Sequence, residues 1–463
     1  MGWPSRGRPV LLLLAAALLT ASMHSLGVVE SPVAPAASSA VAVSTAEVVH
    51  DTGQTAAPVM TGGQIGIGDL RSDRGRAFLD DLATASPAVL ATADRDDRVV
   101  ATAMDAPPTA AEVHTWWSGL DTAEQMRLLH GAPVVVGNLD GVPYAVRDRA
   151  NRAVLAAESA DRRTPSGEAA MLGQVRESLA READGPRKSL ITLDTRGSGR
   201  AAIALGDLAT AADVTVVVPG MFFTVTGQMV DFTATAGDLY DEQATLSPVA
   251  APAPGTGIAV VAWMGYRTPD LSNILSLDLA KTGAGRLERT VDGIRQIRDG
   301  AEPRLGIVAH SYGSTTALMA LSSGRMHADS LTVLGSPGSD VTSASELAVA
   351  AGEVFVGGAH WDPIAGSGYF GTDPGAADFG STVLDLAGGI DPADADDVFR
   401  RPVGHNDYLK PGTASLHDVA LIAVGRGDLV RDQVQRGNGR GEGTVRASPD
   451  MFLVRPQDLQ PRD

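Results

Sequence analysis

The 463-residue chain contains no cysteine. That excludes disulfides, a thiolate metal site, thiol catalysis and a cysteine-borne lipid anchor. It leaves the compartment open, since an exported protein need not use disulfides. Positive charge is also in short supply: 37 Lys and Arg face 55 Asp and Glu, a formal net charge of -18. A field of that sign repels phosphates, so neither nucleic acid nor an anionic membrane surface is expected as the main partner. Beyond residue 23 no segment is apolar enough to span a bilayer. What the chain does have suits a globular protein with a sizeable core: 44% hydrophobic and 20% charged residues. Its length allows one large domain with appendages, or two to three domains.

Arg6 and Arg8 precede an almost wholly apolar run from Val10 to Met23. A basic start before such a run reads as a secretory signal peptide. An uncleaved signal anchor is the alternative, because no Ala-x-Ala site follows at once. Residues 1–26 are assigned to this segment, and the protein is expected to be secreted or associated with the cell envelope. A membrane is a partner only if the segment stays uncleaved. Residues 27–108 are rich in Ala, Val, Ser, Thr, Pro and Gly and read as a low-complexity arm or linker. Phe78, Leu79, Leu82 and Leu90 leave room there for one helix between Ser72 and Thr92.

Residues 109–187 read as a helical region. Thr109 can cap a helix carrying Val113, Trp116, Trp117 and Leu120, and Asp121 with Glu124 has the form of a capping box. Trp116 and Trp117 are read as anchors to the next domain, a ligand platform being the alternative. Asn138 to Pro143 is a turn, and two further helices are expected over 144–160 and 166–183. From residue 188 to about 430 strands and helices alternate. A hairpin turns at Arg196-Gly197-Ser198-Gly199, and largely apolar runs follow at Val214–Val218, Ile258–Trp263, Leu305–Val308, Leu331–Gly335 and Glu353–Gly357. Such runs, separated by amphipathic helices, imply a mostly parallel sheet covered by helices on both faces. Residues 431–463 form a polar, Gly-rich C-terminal tail.

The chain is organised around Leu305-Gly306-Ile307-Val308-Ala309-His310-Ser311-Tyr312-Gly313-Ser314. A strand runs into a Ser flanked at two residues by small side chains, and an apolar helix follows. That is the context of a nucleophile elbow, in which a strained turn lifts the Ser hydroxyl clear of the sheet. The usual first Gly is Ala309 here. A Ser hydroxyl needs a His base, and the base needs a carboxylate to orient it. In such a sheet the chain order is Ser, acid, His. His405, in a Gly- and Pro-bounded loop late in the chain, is favoured as base over His360, His417 and His327. Asp362, just past the run ending at Gly357, is favoured as acid, with Asp373 as the rival. The oxyanion donors are expected to be the backbone N–H groups of Tyr312 and of Met221, with Gly220 allowing close approach. Phe222 and Phe223 line an acyl pocket or pack in the core.

Several motifs together resemble an α/β-hydrolase family found mainly in actinobacteria and described as of unknown function. They are Val217-Val218-Pro219-Gly220, Ala262-Trp263-Met264-Gly265-Tyr266, the elbow, Gly335-Ser336-Pro337-Gly338, Asp362-Pro363-Ile364, Phe370 to Pro374 and Gly404-His405-Asn406-Asp407-Tyr408. Upstream, Trp116-Trp117, Gly137 to Pro143 and Arg147 to Asn151 are similar to that family too. The likeness covers roughly residues 110–425 and implies an α/β-hydrolase fold with an N-terminal helical extension and a Ser311–Asp362–His405 triad. The expected activity is serine hydrolysis of a small acyl substrate, a carboxylic ester first, without cofactor or metal. Amide cleavage, acyl transfer or a non-catalytic binding module on the same scaffold are the alternatives. No long insertion separates the strands after the elbow, which argues against a large lid and favours soluble esters.

Overall fold

A computed structural model describes residues 65–430, apart from 182, 184, 248–256, 299 and 391–397. The expected signal segment, the polar tail and residues 27–64 of the expected arm lie outside the described residues.

Among the described residues one sheet of eight strands has the order β1-β2-β4-β3-β5-β6-β7-β8. The strands are β1 (Lys188–Asp194), β2 (Arg200–Gly206), β3 (Asp213–Val218), β4 (Ile258–Met264), β5 (Arg304–His310), β6 (Ser330–Leu334), β7 (Val354–Gly357) and β8 (Thr382–Val383). The β1–β2 hairpin is antiparallel and β2 pairs antiparallel with β4; every later neighbour pair is parallel. Strands buried on both faces carry unbroken apolar runs. β4, Ile-Ala-Val-Val-Ala-Trp-Met, is buried at every position. One face, through Val261, Ile307 and Val333, packs on α11 (Asp278–Gln296) and α12 (Tyr312–Ser322). The other, through Val260, Val308 and Leu334, packs on α10 (Val225–Leu246) and α13 (Ala414–Ala423). This is the α/β-hydrolase fold.

Residues 67–105 do not form the linker expected of residues 27–108. They fold into α1 (Ile67–Ser72), α2 (Gly75–Thr84), α3 (Pro87–Ala93) and α4 (Asp97–Asp105). Local capping starts two of them. Ser86 Oγ accepts from Val89 N–H with Pro87 at the first helical position, and Asp96 accepts from the N–H groups of Arg98 and Val99. Their sparse apolar residues suffice because partners arrive from later in the chain. Leu70, Phe78, Leu79, Leu82, Leu90 and Val99 share a core with α5 (Ala110–Gly119), α6 (Thr122–Gly131) and α7 (Pro133–Val136). Trp116 and Trp117 lie edge to face inside this core, 5.8 Å between ring centres, and so are not an exposed platform.

The packing boundary also falls earlier than residue 187. In α8 (Tyr144–Ala160) and α9 (Ser166–Ser178), Val154, Leu155, Met171 and Val175 share a core with Leu190, Ile203 and Leu205 of the sheet. Side chains of the helical region reach the outer rim of β1. Asn138 accepts from Leu193 N–H at 3.0 Å and donates to Leu193 O at 2.9 Å. Asp148 accepts from Leu190 N–H at 2.7 Å, Asn151 donates to Leu190 O at 3.1 Å, and Arg152 donates to Lys188 O at 2.7 Å.

The connection from β7 to β8, residues 358–381, contains no helix. It is nevertheless long, and it lies across the elbow end of the sheet. Phe370 N–H donates to Pro337 O at 3.0 Å, and the Phe370 ring stands 5.5 Å from that of Tyr312. The short connections expected after the elbow therefore hold only from β5 to β7.

Candidate active site

β5 ends at His310 and α12 begins at Tyr312, so Ser311 alone makes the turn. Its φ of 55° and ψ of -129° lie where L residues are strained. Three connections fix the turn. Ser311 N–H donates to Leu334 O at 2.9 Å, Ser314 Oγ donates to Ser311 O at 2.6 Å, and Ser314 Oγ stands 2.8 Å from Ser336 Oγ, from which it can accept. A Cβ on Gly313 would lie 2.5 Å from Pro219 O, so the second small position of the elbow is required by the neighbouring loop. Only three non-glycine residues among those described have positive φ: Phe222, Ser311 and Trp361. The first follows Met221 and the last precedes Asp362, so all three stand at or beside residues singled out by sequence.

The loop after β3 closes directly on Ser311. A Cβ on Gly220 would stand 2.6 Å from Ser311 Cβ, so only a glycine lets this backbone come so near. Phe222 N–H is taken by Pro269 O at 3.0 Å, whereas Met221 N–H donates to no acceptor among the described residues. Tyr312 N–H belongs to the first turn of α12, whose N–H groups have no intrahelical acceptor. Phe223 meets Phe232 of α10 edge to face at 5.5 Å, which is core packing; Phe222 is half-buried against the core.

Asp362 and His405 are brought together. His405 Nδ1 is 2.9 Å from each carboxylate oxygen of Asp362. Oδ1 also accepts from the N–H groups of Ile364 and Ala365, at 2.8 and 3.3 Å, and Oδ2 accepts from the Tyr408 hydroxyl at 2.5 Å. Burial alone would raise the Asp362 carboxyl, but the His405 ring and these hydrogen bonds outweigh it and hold it at about 2. Tyr408 is pushed well above its ordinary value by burial and by the Asp362 charge, so it remains a donor. Space for the pair comes from Gly335, at φ 59°. A Cβ there would be 2.7 Å from Asp362 Oδ2 and 3.1 Å from His405 Nδ1. Asp373 instead accepts from Gly375 N–H at 2.9 Å, a turn contact.

Ser311 is tied to the same loop: its N–H bonds the carbonyl of Leu334, the residue before Gly335, and the Gly335 position faces Asp362 and His405. The relative exposure of Ser311 is 1% and that of His405 is 7%. Ser311 Oγ and His405 Nε2 are both buried, and neither has a hydrogen-bond partner within the chain. His310 adds a brace: its Nε2 lies 2.6 Å from the His405 carbonyl oxygen. Burial, reinforced by His405 and opposed by Asp362, pulls His310 down to about 3, so it is neutral at pH 7 and Nε2–H donates. His360 contributes its carbonyl, which accepts from Gly404 N–H at 2.7 Å and so holds the His405 loop. His417 pairs with Glu242 at 2.8 Å on α13, and the His327 carbonyl accepts from Arg295, both away from this pocket. Tyr408, Gly335 and the bracing role of His310 are functional features that residue-by-residue reading missed. The signal available was Tyr408 three residues after His405, in a motif noted only for its resemblance.

A family model described as alpha/beta hydrolase matches residues 194–372. An uncharacterized protein of Mycobacterium tuberculosis is 32% identical over 385 residues, covering 69% of this chain and 56% of the relative. An uncharacterized protein of Mycobacterium bovis is 32% identical over 196 residues, covering 42% of this chain and 72% of the relative. The chain thus spans little more than half the length of the first of these relatives. Among solved structures, a dienelactone hydrolase from Anabaena variabilis aligns over 52% of this chain and 96% of its own, at 12% identity and a TM-score of 0.32. A thermostable esterase from Pseudomonas putida aligns over 61% and 97%, at 12% identity and a TM-score of 0.31. Scores that low carry no argument beside the sheet order and the sequence relatives. The family model includes the elbow strand and the turn after it, and the mycobacterial relatives are similar over a comparable or greater length, so the chain belongs to an actinobacterial α/β-hydrolase family.

Proposed function

We propose that this protein is a serine hydrolase acting through an acyl-enzyme, with carboxylic esters as its first substrate class. The observation that carries the reading is the pair of buried, unpartnered polar atoms, Ser311 Oγ and His405 Nε2, beside an Asp362 carboxylate whose two oxygens are both hydrogen-bonded. Leaving buried polar atoms unpaired costs about 1–3 kcal/mol each, which a fold tolerates where a ligand completes them. In the proposed reaction Ser311 Oγ bonds the substrate carbonyl carbon and passes its proton to His405 Nε2. The N–H groups of Met221 and Tyr312 hold the oxyanion. His405 then gives the proton to the departing alcohol as the ester C–O bond breaks. Water, activated by the same ring, releases the acid. Asp362 keeps the proton of His405 on Nδ1 throughout. Export, read from the Val10–Met23 run, belongs to the same proposal.

A fluorophosphonate probe is expected to label Ser311, and Ser311→Ala should abolish both labelling and hydrolysis of short p-nitrophenyl esters. Peptide anilides assayed beside them separate esterase from peptidase. The 1% exposure of Ser311 is also what a non-catalytic binding scaffold would show. A folded wild type that neither labels nor turns over any acyl substrate decides for that second reading.

A further inference from the structure

On the same rim of the sheet, a second cleft lies where the helical region meets β1, β2, β4 and α11. It is a small cleft, about 50 Å³, that opens to solvent. Four guanidinium groups line it, from Arg147, Arg200, Arg286 and Arg289, against the carboxylates of Asp140 and Asp194. Three of the four are already engaged. Arg147 pairs with Asp140 at 2.6 Å, Arg200 with Asp194 and Asp105, and Arg286 with Asp105 at 2.7 Å. Arg196 also joins Asp194 and Asp105, at 2.8 and 3.1 Å. Four guanidinium groups thus share three carboxylates and Arg289 adds a fifth positive charge, a surplus of two in a chain whose net charge is -18.

Arg289 holds one of them. It is half-buried and makes no hydrogen bond or ion pair among the described residues. Burial pulls it below its ordinary value, with Asp140 the foremost opposing charge. Its neighbour Glu288 cannot compensate, because that carboxylate is held by Arg325 at 2.7 Å and by the Ser323 hydroxyl at 2.8 Å. Thr192 Oγ1 accepts from Arg147, which leaves its own proton for an acceptor in the cleft. An uncompensated, partly desolvated guanidinium beside paired ones is arranged for an oxoanion, and a charge surplus of two matches a dianion better than a carboxylate.

We propose that this cleft binds a phosphate group, with Arg289 as its free guanidinium and Arg200 and Arg286 flanking it. The site is separate from Ser311, and its test does not depend on the hydrolase chemistry. The full chain is titrated by calorimetry at low ionic strength with inorganic phosphate, glycerol 3-phosphate and, separately, vesicles containing phosphatidic acid, with acetate as the monoanion control. One saturable phosphate site is expected, weakened about tenfold or more by Arg289→Gln and partly restored by Arg289→Lys. Arg289→Gln orphans no carboxylate, so folding is retained, and circular dichroism checks it. Arg76→Gln, which alters an exposed pair with Asp80, should leave binding unchanged. The tightest of the three phosphate forms identifies the source of the group. The proposal is overturned by absence of saturable binding, by equal affinity in Arg289→Gln, or by acetate binding as tightly as phosphate.

Discussion

Replacing Asp362 by Asn changes one atom, and its effect follows from the donors that surround it. In the wild type Oδ1 faces the N–H groups of Ile364 and Ala365, Oδ2 faces the Tyr408 hydroxyl, and His405 Nδ1 is equidistant from both at 2.9 Å. An asparagine must keep its carbonyl oxygen toward Ile364, because an amide NH₂ there would meet another donor. The NH₂ is then forced toward Tyr408 and His405. Tyr408 can rotate its proton and accept, but His405 Nδ1 must also accept, so its proton moves to Nε2. A protonated Nε2 on a neutral ring cannot take the Ser311 proton. The same tautomer error in the serine-protease precedent costs about 10⁴-fold in turnover, or about 5 kcal/mol of transition-state stabilisation. We therefore expect Asp362→Asn to lower kcat on a p-nitrophenyl ester by about that factor with a folded circular dichroism spectrum. Asp373→Asn, which keeps the side-chain oxygen that accepts from Gly375 N–H, should stay within a few-fold of wild type. Turnover of Asp362→Asn within tenfold of wild type would refute the tautomer argument. Collapse of Asp373→Asn at the same time would move the acid to Asp373.

Two further predictions concern the pocket. Gly220→Ala places a methyl 2.6 Å from Ser311 Cβ, so the loop bearing Met221 must retreat; kcat should fall roughly 10²-fold or more, with little change in melting temperature. Equal activity in Gly220→Ala and wild type would remove Met221 from the oxyanion site. Acidification should destabilise the fold in two windows. His310, at about 3 when folded against 6.5 when free, binds its proton only on unfolding, so stability falls as pH drops from 6.5 toward 3. Asp362, at about 2 against 3.8, contributes stability that is present above 3.8 and lost as pH falls toward 2. Urea titrations across pH should show His310→Asn flattening the first window only; an unchanged slope there would dismiss His310 as its cause.

Much of this could be read from the chain alone because the strands are buried on both faces and say so. The five apolar runs from Val214 to Gly357 correspond to β3 through β7 within a residue or two. The elbow was legible for the same reason, as was the order that brings Asp362 to His405. What escaped was structure whose partners lie elsewhere. α10 carries Thr, Gly and Ala at many positions and shows little amphipathic pattern, so its helix depends on the sheet beneath it. α1 to α4 read as linker because their few large apolar side chains find company only in α5 to α7. The partners of the Tyr408 hydroxyl are remote in sequence: Ala359 N–H and the Asp362 carboxylate lie 49 and 46 residues away. The sequence marks Asn138 as the start of a turn and Asp148 and Asn151 only as part of a likeness; the strand that all three serve begins at residue 188.

Those three residues, with Arg152, have a consequence for how the molecule keeps its own company. The outermost strand of an open sheet offers a row of free N–H and C=O groups, a template on which any extended chain can add. In β1 those groups at Leu190 and Leu193 are occupied by side chains, as is the Lys188 carbonyl. The sheet is thereby sealed against growth on this side without a ninth strand. Trimming the chain to residues 188–430 to isolate the hydrolase sheet would unseal it. The product would be prone to strand-to-strand association between copies, so the helical region acts as a guard against aggregation as much as a support for the fold.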